Sequence, residues 1–358
     1  MHTYLLTSIV FCIAFHAACY AEEMRSISLW NGNMEMTVIN YGARIQTLKF
    51  AAQDVVLGFD TLEHYAKVKQ NFGAVVGRYI GRIVGGRLPM TTGSGRCMRT
   101  DTLQLQTGGN GDCSHGGTPS FSARYWTLLE QQGDTACTLR YVSPDGENGF
   151  PGELTLDVTY TLHHDALRID YRATTTKPTV LNPSNHSFFN LSANLGGAVT
   201  DELLWINSDS ICLYNNRKQV TGRMASVEAT PFDFRQPTPI GQRIDADDEQ
   251  LRVTGGYDHC YSLPSQRSLD VPVARLTDLS TGIAMEVLTT EPAMQIYTAN
   301  AHKGNIVGKG GTTYPRRNAI CFETMHFPDS PNNPQWPTTR LNPGEEFRST
   351  TIYRFTAY

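Results

Sequence analysis

Apolar and polar residues alternate one for one along "ELTLDVTYTLHHDALRIDYRAT". Leu154, Leu156, Val158, Tyr160 and Leu162 fall on one face, and Leu167, Ile169, Tyr171 and Ala173 on the same face of a returning segment. A period of two predicts a half-buried strand, and the break at His163-His164-Asp165 predicts the hairpin turn between two of them. The same rhythm recurs in shorter runs: "SISLWN", "MEMTVIN", "CTLRYVS", "IAMEVLTT", "AMQIYTAN", "AICFETMHF" and "STTIYRFTAY". Each is closed by Gly, Pro, Asn or Asp, and sustained helical periodicity is missing. These runs predict an all-β protein, a large antiparallel β-sandwich.

Composition narrows what such a fold does. The chain has 358 residues, 40% hydrophobic and 18% charged, enough to bury a sizeable core. Thirty basic residues against 34 acidic ones give a formal charge of -4, which excludes the electrostatic footprint of a nucleic-acid or anionic-membrane binder. A neutral ligand is expected.

The first residues read differently. "YLLTSIVFCIAFHAACYA" is apolar from Tyr4 to Ala18, too short to span a bilayer, and Cys19 and Ala21 are spaced like a signal-peptidase site before Glu22. Residues 1–21 are therefore expected to be a secretory signal, residues 22–358 one β-sandwich domain, and the mature protein periplasmic or secreted, with an acylated Cys19 as the alternative. Removing the signal leaves Cys97, Cys113, Cys137, Cys212, Cys260 and Cys321. None forms a C-x-x-C pair, so no metal site is expected, and disulfides are permitted without any connectivity being readable.

Chemistry-bearing side chains gather at strand ends and loops: "GRYIGRIVGGRL" with Arg78 and Arg82, "CSHGGT" with His115, "NHSFFN" with His186, "GGYDHCY" with Asp258 and His259, "EPAMQIYTAN" with Gln295, and "CFETMHFPDSP" with Glu323. Singly, each is as readily structural. Glu323 stands out because it interrupts the apolar run Ile320, Cys321, Phe322, where a carboxylate is desolvated and its pKa raised. His186 is followed by Phe188 and Phe189 in the same way. A carboxylate and an imidazole in apolar surroundings suit acid/base work near neutral pH. Aromatic rings among Asn, Gln, Arg and Asp suit a sugar.

Taken in order, "FGAVVGRYIGRI", "SHGGTPSF", "SPDGENGFPGELTLDVTYTL", "NHSFFNL", "GGYDHCY", "TTEPAMQIYTAN" and "ETMHFPDSPNNPQWPTT" resemble the aldose 1-epimerase, or galactose mutarotase, family through almost the whole mature chain. The resemblance implies a galactose mutarotase-like supersandwich with the sugar in an open cleft. It implies Glu323 as general base, ionised when sugar is bound, and His186 as general acid, with Arg82, His115, Asp258 and Gln295 holding an aldohexose. Anomer exchange by ring opening needs only these proton transfers, so no cofactor is implied. Two departures concern specificity: Gly81 stands where the family has Asn, and Phe188 lacks the aromatic hydroxyl common at its place. A monomer or weak dimer is expected, and a monosaccharide is the only partner expected, with no nucleic acid and no membrane once the signal is removed.

Three further readings follow from the residues. Asn185-His186-Ser187 and Asn190-Leu191-Ser192 are glycosylation sequons inside the segment assigned to the site. Arg78, Arg82 and Arg87 keep open a related epimerase acting on hexose 6-phosphates. A sugar-binding sandwich that has lost catalysis is the other rival, disfavoured by the presence of both Glu323 and His186.

Overall fold

A computed structural model describes residues 23–92 and 99–358. The predicted signal, with Cys12 and Cys19, and Cys97 lie outside the described residues. Among the described residues no helix is long and apolar enough to cross a membrane.

The alternating stretch folds as read. Strands Leu154–His163 and Ala166–Thr175 pair antiparallel in the register Leu162↔Leu167, with His164 and Asp165 in the turn. All nine apolar side chains named for that face are buried. This hairpin is central to a nine-stranded antiparallel sheet that also takes in Ala136–Ser143, Phe347–Ala357 and Ile283–Thr289. Its outer face carries cross-strand charge pairs such as Arg140 donating to Asp157 at 2.6 Å.

Two smaller sheets cover the inner face. One is the four-stranded meander that starts at Ser26–Trp30 and continues through Met34–Ile39 and Arg44–Phe50. The other has five strands in the order Val220–Ser226, Ser210–Tyr214, Asp258–Ser262, Ala293–Tyr297, Cys321–Met325. One apolar cluster joins all three sheets: Val38, Ile45 and Leu48 from the first small sheet, Leu156, Val158 and Ile169 from the large one, and Met294, Ile296 and Phe322 from the five-stranded one. This is the sandwich expected from the sequence.

Parity along the five-stranded sheet decides what faces outward. Because successive side chains point to opposite faces, burial of Met294, Ile296 and Phe322 in the core turns Gln295, Tyr297, Cys321 and Glu323 the other way. Only two α-helices, Leu62–Lys67 and Glu249–Thr254, interrupt the described β-structure. The second begins where Asp248 caps it, its carboxylate accepting from the Gln250 and Leu251 amides.

Candidate active site

Ladder register brings the predicted residues together. Cys260 lies opposite Gln295 and Gln295 opposite Glu323, so these three form one row across adjacent strands. Asp258, Tyr297 and Cys321 form the next row on the same face. Beyond the last strand, Ser184–His186 pairs with Ala74–Val76, His186 opposite Ala74, and swings the imidazole against Glu323. Arg82 and His115 come from the opposite wall. The short ladder Arg82–Ile83 with Cys113–Ser114 sets them side by side, and the His115 amide donates to the Gly81 carbonyl at 2.8 Å.

These walls enclose a cleft of about 250 Å³. All six residues to which the family resemblance gives a role, Arg82, His115, His186, Asp258, Gln295 and Glu323, line it. Glu323 is 3% exposed and His186 7%, and Glu323 Oε1 lies 3.3 Å from His186 Nε2. Cys321 Sγ lies 3.5 Å from the other ring nitrogen, Nδ1.

Burial dominates the electrostatics. It drives the Glu323 carboxyl well above the ordinary range, and the nearby Asp258 adds to the shift. It drives His186 down to about 3, with His115 contributing. Both shifts disfavour the charged form of the group concerned, because charge without a counter-charge is costly in so dry a place. A neutral carboxyl beside a neutral imidazole and a carboxylate beside an imidazolium hold the same number of protons. The ionised Glu323 expected when sugar is bound is the ionic tautomer of the pair, and burial raises its free energy relative to the other.

The remaining polar groups are fixed around this pair. Gln295 Nε2 donates to Asp258 Oδ1 at 2.7 Å, and its Oε1 accepts from the Tyr214 hydroxyl at 3.1 Å. Burial raises Asp258, partly offset by Gln295 and by the cations Arg82 and Lys218. His115 is lowered to about 4, by burial first and Arg82 second, and its Nδ1 is buried without a partner among the described residues. Arg82 is held by donating from Nη1 to the Lys218 carbonyl at 2.7 Å.

Arg78 and Arg87 do not join them. Arg78 is buried, donating to the carbonyls of Pro151 and Gly152 at 2.9 Å each, and Arg87 is exposed outside the cleft. The arginine cluster that a sugar phosphate would need is thus not assembled, because neighbours in sequence point to different walls. His259 is also structural, fully buried between Tyr214 and Phe232.

Several lining residues were not singled out from the sequence. Tyr297 shares the row of Asp258, a fact visible only once register is known, and Tyr214 reaches the cleft from the neighbouring strand. His302 comes from a loop; its Nδ1 is 2.8 Å from Asn318 Oδ1 and its ring stacks on Phe188 at 5.2 Å. Phe188 in turn lies 5.0 Å from the His186 ring. Gln70 and Asn71 complete that end.

Both sequons are used as structure. Asn185 Nδ2 donates to the Gly73 carbonyl and Asn190 Nδ2 to the Asn318 carbonyl, each at 2.9 Å. In each, the serine hydroxyl donates to the asparagine Oδ1 at 2.6 Å. The five described cysteines, Cys113, Cys137, Cys212, Cys260 and Cys321, are buried free thiols.

The family profile of aldose 1-epimerase matches residues 25–354. The chain belongs to the aldose 1-epimerase family. It is 36% identical over 337 residues to a mouse protein named galactose mutarotase, covering 93% of this chain and 94% of the relative. It is 33% identical over 335 residues to an Escherichia coli protein named aldose 1-epimerase, covering 91% of this chain and 93% of that one. Among solved structures, a galactose 1-epimerase from Lactobacillus acidophilus superposes with a TM-score of 0.81 at 27% identity, covering 94% of this chain and 97% of that one. An aldose epimerase homologue from C. elegans shares the fold at a TM-score of 0.83 and 24% identity, covering 94% of this chain and 99% of that one. The aldose 1-epimerase fold is thus the sandwich described above.

Proposed function

We propose that the protein is a mutarotase that interconverts the α and β anomers of free aldohexoses such as galactose and glucose, with Glu323 and His186 as the proton-transfer pair. The observation that carries this reading is the buried 3.3 Å contact between carboxyl and imidazole at the floor of a sugar-sized polar cleft.

Glu323 takes the proton of the anomeric hydroxyl while His186 delivers one to the ring oxygen. The bond from the anomeric carbon to the ring oxygen breaks, leaving an open-chain aldehyde. Rotation about the adjacent carbon–carbon bond presents the other carbonyl face, and reclosure reverses both transfers. Ring opening starts from the carboxylate–imidazolium tautomer and ends at the carboxyl–imidazole one. Burial, which disfavours the ionic tautomer, therefore makes Glu323 a stronger base and protonated His186 a stronger acid.

Asp258, with Oδ1 engaged by Gln295, keeps Oδ2 for a sugar hydroxyl. Arg82 and His115 supply donors from the opposite wall. Export belongs to the same proposal, on the strength of residues 1–21; a natural N-terminus at or near Glu22 supports it, and an intact Met1 overturns it.

Polarimetry tests the reaction. Freshly dissolved α-galactose should reach its equilibrium rotation faster in proportion to added protein; a rate equal to the uncatalysed one, for both galactose and glucose, refutes the reading.

A further inference from the structure

An asparagine or glutamine side chain carries two N–H donors and a carbonyl acceptor, and one withdrawn from bulk water is normally hydrogen-bonded. Gln46, Gln53, Asn148, Asn182, Gln250 and Asn300 all obey this, each donating to a backbone carbonyl. Among the described residues, the half-buried Gln70 and Asn71 are the only amides that are not exposed and have no side-chain hydrogen bond. They are consecutive, and both line the cleft.

The backbone that follows them is nonetheless pinned. The Phe72 carbonyl accepts from Arg44 at 2.8 Å, the Gly73 amide donates to the His186 carbonyl at 3.0 Å, and the Ala74 amide donates to the Asn71 carbonyl at 3.0 Å. Gly73 has a φ of +66°, and a Cβ there would sit 2.1 Å from the Ile45 carbonyl oxygen, so only glycine makes this turn. The backbone at Asn71 is thus anchored, while the hydrogen-bonding groups of both amides stay unused by the protein.

The order of strands says which part of a sugar they meet. From Glu323, the row through Gln295 leads towards the strand of Asp258, and His186 followed by the Ala74–Val76 strand leads the other way, towards Asn71. In a pyranose the anomeric carbon is flanked by C2 and the ring oxygen. With His186 at the ring oxygen, the next atoms on that side are C5 and its hydroxymethyl group, while the C2 and C3 hydroxyls run towards Asp258. We propose that Asn71 and Gln70 bind the C6 hydroxyl of the aldose, making the cleft selective for free hexoses over 6-deoxyhexoses and pentoses. Neutral amides at this end suit a hydroxyl. The assignment rests on the mutarotase reading for the orientation of the sugar.

The test compares galactose with 6-deoxygalactose in Asn71→Ala and Gln70→Ala, by mutarotation kinetics and by calorimetric binding. Each variant should raise KM for galactose about threefold to tenfold, the range for one neutral hydrogen bond, with kcat within about twofold. KM for 6-deoxygalactose should not move. Equal shifts for the two sugars, or a fall in kcat shared by both, overturn the proposal; if one variant fails to fold, the other decides. Should the wild-type protein bind galactose without accelerating mutarotation, the mutarotase reading falls, and the same sugar-dependent pattern in calorimetry still decides the C6 contact. No galactose binding at all overturns both.

Discussion

Glu323→Gln separates chemistry from folding because of what the site keeps. The amide has the shape of the carboxyl and can still meet His186 Nε2, now 3.3 Å from Oε1. Since burial disfavours charge on either member of the pair, a neutral amide suits the same place, and the fold should hold. What disappears is the ability to take a proton from the anomeric hydroxyl. Loss of a positioned acid or base costs about a hundredfold to ten-thousandfold in rate, or about 3 to 5 kcal/mol of barrier. Stability should move the opposite way. A carboxyl whose folded pKa lies above its unfolded value favours the folded state least at high pH, so at pH 7 the native glutamate is a burden that the amide removes. Polarimetry at saturating galactose reads the rate, and a urea midpoint reads stability. The double variant with His186→Asn should be little slower than either single one, because both groups serve one transfer. A folded Glu323→Gln protein with near-native mutarotation would remove Glu323 as base, and with it the case for His186 as partner.

The pH profile of the wild-type rate should be flat through the ordinary imidazole range, with its acid limb displaced towards the lowered His186 value of about 3 and its alkaline limb set by the raised Glu323; an inflection near pH 6.5 would show that the pair is not coupled as described. Glu202, nearly fully buried, with Oε1 accepting from the Leu191 amide and Oε2 unpartnered, is raised to about 8 by burial. Its contribution to stability is complete below about pH 4.5 and lost as pH rises through about 8, so at pH 7 it costs on the order of 3 kcal/mol. Glu202→Gln should flatten that loss in urea melts at pH 5 and pH 8; parallel curves for the two proteins would refute the argument. At Gly81, φ is +75° and a Cβ would meet Met325 Cε and Pro328 Cβ at 3.3 Å, a squeeze that the methionine end can relieve. Gly81→Asn should lower KM for galactose with little change in kcat, at a stability cost of about 1 kcal/mol for the left-handed backbone; an unaltered or raised KM contradicts it.

The hairpin of Leu154 to Ala173 was legible residue by residue because one face of each strand meets the core and the other meets solvent. Glu323 was legible for the related reason that a charge breaks an apolar run. Arg78 misled. Nothing in the spacing from Arg82 reveals that one guanidinium is enclosed by the carbonyls of Pro151 and Gly152 while the other reaches the cleft. Tyr297 belongs to the site through register, set by pairings between segments far apart in sequence. Gln70, Asn71 and His302 lie outside the strands, where no periodicity marks a facing, and an unused amide is recognised only when its surroundings are known.

The two Asn-X-Ser turns carry a consequence for production of the protein. The atom to which an oligosaccharide would be attached, Nδ2, is the one that Asn185 and Asn190 use to hold the Gly73 and Asn318 carbonyls in the finished fold. Both side chains are buried, so in a eukaryotic secretory pathway a glycan attached before folding would have no room in the native state, and folding and glycan transfer would compete for the same nitrogen. Serine-to-alanine edits are no simple remedy, since Ser187 and Ser192 each donate a hydroxyl to the asparagine of their own turn. Yield from such a host would be set by a kinetic race, whereas a host without that modification faces none.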